Sequence, residues 1–340
     1  MTASIIGIGT VSAAGSGIDS LDGVLRGTAE PKVEMVEVAL ADGPVRLPVF
    51  RAKTEGLDRF VNKRALRRLD PFVRMALLAS YLAVEDAGIE FSDPSRVGIA
   101  FGTGYGPLRT TFAFQDTLID DGDKCASPTQ FANSVHNALA SQLSISMGLQ
   151  GPCTTQTCFE WTTVSVLTTA RQWLDSGLCD YVIAGVGDEL ASVLEYTVAM
   201  EMGTGNPAEC WKPDDLTACD YRPGEAFTAL VLTREDRQAP RLMEVKVRDG
   251  QADLHSLLEG ATIFPALRGN HAENVHYARL LADRESWKSH AAFFGAMPTS
   301  DALEVAAAAK ALRDGMIEAD RIACLQCAPT GPASLILLSR

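Results

Sequence analysis

Long apolar runs, a basic leader and regularly spaced cysteines are all missing from this 340-residue chain. No stretch approaches the ~20 apolar residues that cross a bilayer. The opening MTASIIGIGT lacks the basic region and long apolar segment of a secretory signal. Eight cysteines without a repeating spacing read as reduced thiols rather than a disulfide framework. Cationic charge is scarce as well: 30 Lys and Arg face 43 Asp and Glu, a net charge of -13. That balance argues against nucleic-acid or anionic-membrane partners, which need cationic surface. The expected setting is cytoplasmic. Ligand motifs are equally thin. GTGYG (Gly102–Gly106) lacks the third glycine and acidic partner of a dinucleotide loop and reads as a strand-to-helix turn. Cys324 and Cys327 form one CxxC without the two further ligands a zinc site needs. His271 and His276 are spaced as neighbours on a helix face, again without a completing ligand. His136, within the helix-like NSVHNALASQL, is expected as a packed core histidine. No metal or cofactor is expected.

What the chain does have is apolar content, 46% of its residues, enough to bury a large core. Short β-rich runs recur at SIIGIG (Ser4–Gly9), VGIAFGTG (Val97–Gly104), DYVIAGVG (Asp180–Gly187) and FTALVLT (Phe227–Thr233). Helical patterns lie between them. Asp70–Gly88 carries a wide apolar stripe and closes on a glycine cap. Trp161–Gly177 has almost no charge over its first ten residues, the mark of a helix buried on every side. After a polar stretch at 233–241 come RLMEVKV (Arg241–Val247), a helix over Ser300–Gly315, RIACLQC (Arg321–Cys327) and ASLILLS (Ala333–Ser339). The alternation predicts α/β layers around a central buried helix.

These elements, in order, resemble the β-ketoacyl synthases, the condensing enzymes of fatty acid and polyketide synthesis. The resemblance runs through IIGIGTVSAAGSG, RFVNKRALRRLDPFVRMALLASYLAVEDAGI, GIAFGTGYG, PTQFANSVHNALASQLSISMGLQGP, SGLCDYVIAGVGDEL and DYRPGEAFTALVLT. It is fainter at SDALEVAAAAKAL and PASLILLSR. It implies the α/β thiolase-like fold, two pseudo-symmetric halves in a layered arrangement that dimerise about a two-fold axis. Here residues 1–235 correspond to the N-terminal ketosynthase-like half and 236–340 to a reduced, shortened C-terminal half.

In that family a Gly-Pro precedes the nucleophilic cysteine by eight residues, and a Gly and an Asp follow it by 17 and 20. Counting from Pro152 lands on Glu160, and the same offsets then reach Gly177 and Asp180. Cys158 falls two residues short. Acyl transfer from a carrier thioester needs a thiolate activated by a helix N-terminus. A carboxylate there is stabilised by the same dipole but cannot hold an acyl thioester. The plainer reading of Glu160 is a solvated first-turn carboxylate. The family's two carbanion-stabilising histidines fall on Ala266 and Gly295, its lysine on His290, and its C-terminal loop asparagine on Pro332. The resemblance therefore implies a degenerate catalytic centre.

A family fold without its nucleophile matches the chain-length factors of type II polyketide synthases. Such subunits pair with an active ketosynthase and wall the tunnel for the growing chain. The aromatic-polyketide type carries Gln where this chain carries Glu160, which points to a divergent branch such as the aryl-polyene factors. By the same resemblance Thr110, Phe112 and Phe114 face the tunnel, with core packing as the plain alternative. Lys63, Arg64, Arg67 and Arg68 lie on the helix that meets the acidic acyl carrier protein in related synthases, with a solvated face as the alternative. The rival function is an active condensing enzyme that uses Cys158.

Overall fold

Two glycines stand in the fully buried first strand because a helix lies directly on it. A Cβ added at Gly7 or Gly9 would strike the backbone carbonyl of Ala83 or Ala79. The computed structural model describes residues 2–340 except 68, 203–213, 218–219, 236, 249–250 and 283–285. Strands β1 (Ala3–Ser12), β2 (Gly15–Ser16), β3 (Glu34–Leu40) and β4 (Gly43–Val49) open the chain. β5 (Val97–Gly102), β6 (Cys153–Gln156), β7 (Tyr181–Asp188) and β8 (Ala226–Thr233) follow. β9 (Arg241–Arg248), β10 (Thr262–Pro265), β11 (Arg321–Cys327) and β12 (Ala333–Ser339) complete the set.

The helices are α1 (Gly17–Arg26), α2 (Lys63–Leu66), α3 (Pro71–Ala87), α4 (Leu108–Asp121), α5 (Pro128–Asn133) and α6 (Ala138–Met147). After them come α7 (Thr162–Asp175), α8 (Ser192–Met202), α9 (Gln251–Leu258), α10 (His271–Leu281), α11 (Ala291–Phe294) and α12 (Asp301–Arg313).

Hydrogen bonding runs along the path β10-β11-β12-β9-β1-β8-β7-β5-β6, with β2 added to β1. β9 meets β1 only at Ala3 with Leu242 and Ser4 with Arg241, so two sheet halves join at a narrow seam. α3 covers β1 and β8 on the outside, α7 and α12 lie between the halves, and α9 and α10 cover the far face. The result is five layers, α/β/α/β/α. Position explains composition: Asp301 through Leu312 of α12 are all buried, since both sides of that helix meet sheet. α3 starts as its sequence dictates, with Pro71 in its first turn and the Asp70 carboxylate accepting from the Phe72 amide at 2.8 Å. Gly88 closes it in the left-handed conformation.

Two features depart from the sequence reading. His136 is exposed in the turn between α5 and α6, its ring against Gly106, rather than packed in the core. The Ser and Asn residues around it favour a turn over a continuous helix. The β3–β4 hairpin, which packs on α8, was not among the expected strands. Arg68, and residue 236 at the expected boundary between halves, lie outside the described residues. No helix among the described residues is long and apolar enough to cross a membrane.

Candidate functional site

Among the described residues β6 is an edge strand, paired on one side only, with β5. The chain leaves it through Thr157 and Cys158, makes one 3-10 turn over Phe159–Trp161, and enters α7 at Thr162. Phe159 adopts φ 45°, a conformation that non-glycine residues rarely hold, and its ring is half exposed. It meets Tyr105, from the β5–α4 turn, edge-on at 5.9 Å. That turn is itself clamped. Buried Asp188 accepts the Gly104 and Tyr105 amides at 2.8 and 2.9 Å and the Thr103 hydroxyl at 2.8 Å. Two sharp turns are thus held together over the start of the central helix.

Glu160 sits inside the 3-10 turn, one quarter exposed. It is not simply solvated. Arg268, from the loop between β10 and α10, brings Nη2 to 3.3 Å from Glu160 Oε1. Arg268 is 5% exposed and donates Nε to Glu273 Oε2 at 3.0 Å, with a second bond from Nη2 to Glu273 Oε1. Burial works against the guanidinium's charge, but Glu273 beside it holds Arg268 cationic. The Glu160 carbonyl accepts from Gln326 Nε2 at 3.3 Å, and that amide also donates to the Pro298 carbonyl at 2.7 Å. Gln326 Oε1 then accepts the Asp301 amide at the start of α12 at 3.2 Å. Both sheet halves and both central helices meet at this turn.

The positions expected to hold catalytic histidines hold no titratable group. Ala266 is buried, and its amide donates to the Leu325 carbonyl at 2.9 Å. Two residues on, Arg268 is the side chain that faces Glu160. Gly295, at φ 76°, has no room for a side chain of any kind: a Cβ there would lie 2.9 Å from Gly224 Cα and 2.9 Å from Phe50 Cβ. His290 is fully buried and shares a 2.7 Å contact from Nδ1 with Glu304 Oε2. Pro332 accepts the Ala328 amide at 2.8 Å in a tight turn. Cys158 is exposed, ahead of α7, with its amide on Thr162 Oγ1 at 3.1 Å.

The remaining sequence-derived residues scatter around this centre. Thr110 is buried on α4, its hydroxyl donating to Asp70 at 2.6 Å. Phe112 is exposed, while Phe114 packs on Phe131 at 5.5 Å. Lys63, Arg64 and Arg67 stand exposed on and just after α2. Sequence reasoning did not single out Arg268, Gln326 or Asp301. A buried arginine in RGNHAE, followed five residues later by Glu273, was the available signal.

Asp301 gives the centre a pH dependence. Its side chain hydrogen-bonds the Thr163 hydroxyl, and burial pushes its carboxyl up to about 7 from 3.8. Folding therefore retains a proton that the unfolded chain gives up. The stabilisation is fully present below the unfolded pKa and is lost as pH rises through about 7. Asp301→Asn removes that titration, so its melting temperature should gain on wild type progressively across this window. A difference that stays flat from acid to neutral pH would show that Asp301 does not titrate there.

Five layers of α and β, with a strand–turn–helix site where the sheet halves meet, define a thiolase-like protein. The chain belongs to the β-ketoacyl synthase family: residues 5–238 match its N-terminal domain. The 3-oxoacyl-acyl-carrier-protein synthase 2 of Vibrio cholerae is 25% identical over 201 residues, 56% of this chain and 49% of that one. A provisionally named polyketide beta-ketoacyl synthase of Streptomyces halstedii is 25% identical over 258 residues, 71% of this chain and 60% of the other. The chain thus spans about half the length of the synthase 2 relatives it matches. Among solved structures, the ishigamide ketosynthase/chain length factor superposes with a TM-score of 0.79 at 16% identity, over 100% of this chain and 99% of that one. A ketosynthase in complex with its chain length factor from Xenorhabdus doucetiae gives 0.75 at 14%, over 99% and 97%.

Proposed function

We propose that this chain is a catalytically degenerate chain-length-factor subunit. It pairs with an active ketosynthase of a type II polyketide synthase and shapes the tunnel in which the carrier-bound chain grows. One observation carries the reading: Glu160, the residue that the sequence register sets at the family's nucleophile position, is tied to buried Arg268. A carboxylate held by a guanidinium offers no thiolate and no route to an acyl thioester. The ketosynthase and chain-length-factor pairs among the structural neighbours support the same reading.

The subunit surface fits a partner. Phe131, Val135, Ile145 and Phe159 are exposed on α5, α6 and the two turns beside them, and α6 packs on the edge strand β6. A monomer that leaves this much apolar surface beside an unpaired strand invites association. A cavity of about 20 Å³ beside Tyr105, Tyr221, Leu194 and Val198 has room for roughly one water. In this reading the partner completes the tunnel, and the exposed cations Lys63, Arg64 and Arg67 serve the acyl carrier protein. Co-expression with the cognate ketosynthase should yield a stable heterodimer by size exclusion. A chain that stays monomeric and soluble at micromolar concentration, indifferent to that ketosynthase, contradicts the proposal.

Phe114 supplies a test of tunnel length. Its ring and Phe131 form a pair that would wall the chain's end once the partner is seated. Phe114→Ala should lengthen the product by extension units while leaving the complex intact. Products of unchanged length from an intact complex would remove Phe114 from the tunnel.

A further inference from the structure

Four arginines line one cleft on this acidic chain, far from Glu160. Arg237, Arg241, Arg313 and Arg340 surround a space of about 570 Å³ between the β8–β9 connection and the C-terminal end of α12. Ala239, Pro240 and Leu312 give it an apolar wall. Among the described residues that line it, none is acidic. α12 runs from Asp301, beside the candidate site, to Arg313, so at 1.5 Å per residue the two places are about 18 Å apart.

Neighbouring carboxylates hold Arg237 and Arg313, and one lies near Arg340. Glu235 takes Nε and Nη2 of Arg237, and Nη2 also reaches the Tyr181 hydroxyl at 3.4 Å. Arg313 gives Nη1 to Asp86 and Nε to Asp314. Arg340 gives Nε to the Leu312 carbonyl and lies 3.9 Å from exposed Asp320. A guanidinium carries five N–H donors, and no described residue takes Nη1 of Arg237 or Nη2 of Arg313. Four arginines lining one cleft stand out on a chain of net charge -13. Planar donor forks match phosphate oxygens, and the cleft's volume falls within the range of small-molecule sites.

We propose that this cleft binds a small molecule carrying a phosphate chain, its anionic part on Arg237 and Arg313 and its apolar part against Pro240 and Leu312. The site is separate from the centre around Glu160 and stands whether or not that centre is degenerate. Pyrophosphate is the probe, titrated by calorimetry into the full chain in complex with its ketosynthase. Saturable binding is expected, weakened at least about tenfold by Arg237→Ser with Arg313→Ser and unchanged by Lys32→Ser with Arg46→Ser. Coenzyme A and ATP, as second and third titrants, distinguish a pantetheine phosphate from a nucleotide triphosphate as the source.

Should the double variant fail to fold, hydrogen exchange on the wild-type complex decides instead. Pyrophosphate should protect the amides of residues 237–241. The proposal is overturned by no saturation up to ~10 mM, by equal loss in the Lys32 and Arg46 control, or by absent protection. Binding of polyglutamate but not pyrophosphate would also overturn it, and would make the cleft a site for an acidic protein segment.

Discussion

Replacing Arg268 with methionine should destabilise the subunit by about 3–5 kcal/mol, the cost of removing one partner of a buried charge pair. Glu273 is 2% exposed and would be left with an uncompensated carboxylate. Glu160, one quarter exposed, can turn to water, so Glu160→Gln should cost no more than ~1 kcal/mol. The contrast between the two variants identifies Arg268–Glu273 as the structural pair and Glu160–Arg268 as the weaker contact. Arg268→Met combined with Glu273→Leu should recover most of the loss, since an apolar pair of similar volume carries no desolvation cost. Denaturation midpoints at fixed subunit concentration read all three effects. A loss below about 1 kcal/mol for Arg268→Met would mean that the pair is solvated.

Thr155→Pro is expected to abolish the heterodimer while leaving the subunit folded. The Ile99 amide bonds the Pro152 carbonyl at 2.8 Å, and the Thr103 amide bonds the Gln156 carbonyl at 3.1 Å. Residues 152, 154 and 156 therefore direct their backbone groups at β5. By the alternation of a parallel ladder, the N–H groups of Cys153 and Thr155 point away from the sheet. Proline at 155 removes an outward donor without touching the β5 ladder, as edge positions tolerate. Thr154→Pro, which removes an inward donor, should instead damage the fold itself. Loss of co-elution with an unchanged circular dichroism spectrum, and loss of polyketide synthesis with it, is the predicted result for Thr155→Pro. A variant that still co-elutes would place the partner on another surface.

The register of Glu160 was legible because its flanks are physical landmarks. A Cβ at Gly151 would strike the Val97 carbonyl, Gly177 takes φ 71° just beyond α7, and Asp180 pairs with Arg96 at 2.6 Å. These contacts fix the entry to β6 and the exit from α7, the two places between which the offsets were counted. The long apolar elements β1, α3, β7, β8 and α12 were legible for the same reason that they are stable, their burial. β6 was not, being four residues of Cys, Thr and Gln whose strand character comes from its neighbour β5. Arg268 was missed because its importance is tertiary. Only the folded chain shows a loop after β10 crossing to the turn before α7.

Intact masses of both subunits after incubation with acyl carrier protein substrate test the central claim most directly. The acyl mass should appear on the ketosynthase partner alone, and Cys158→Ala should leave synthesis largely intact, since Cys158 precedes the helix N-terminus that would activate a thiolate. An acyl adduct on this chain that disappears in Cys158→Ala would contradict the account and make the chain a condensing enzyme in its own right.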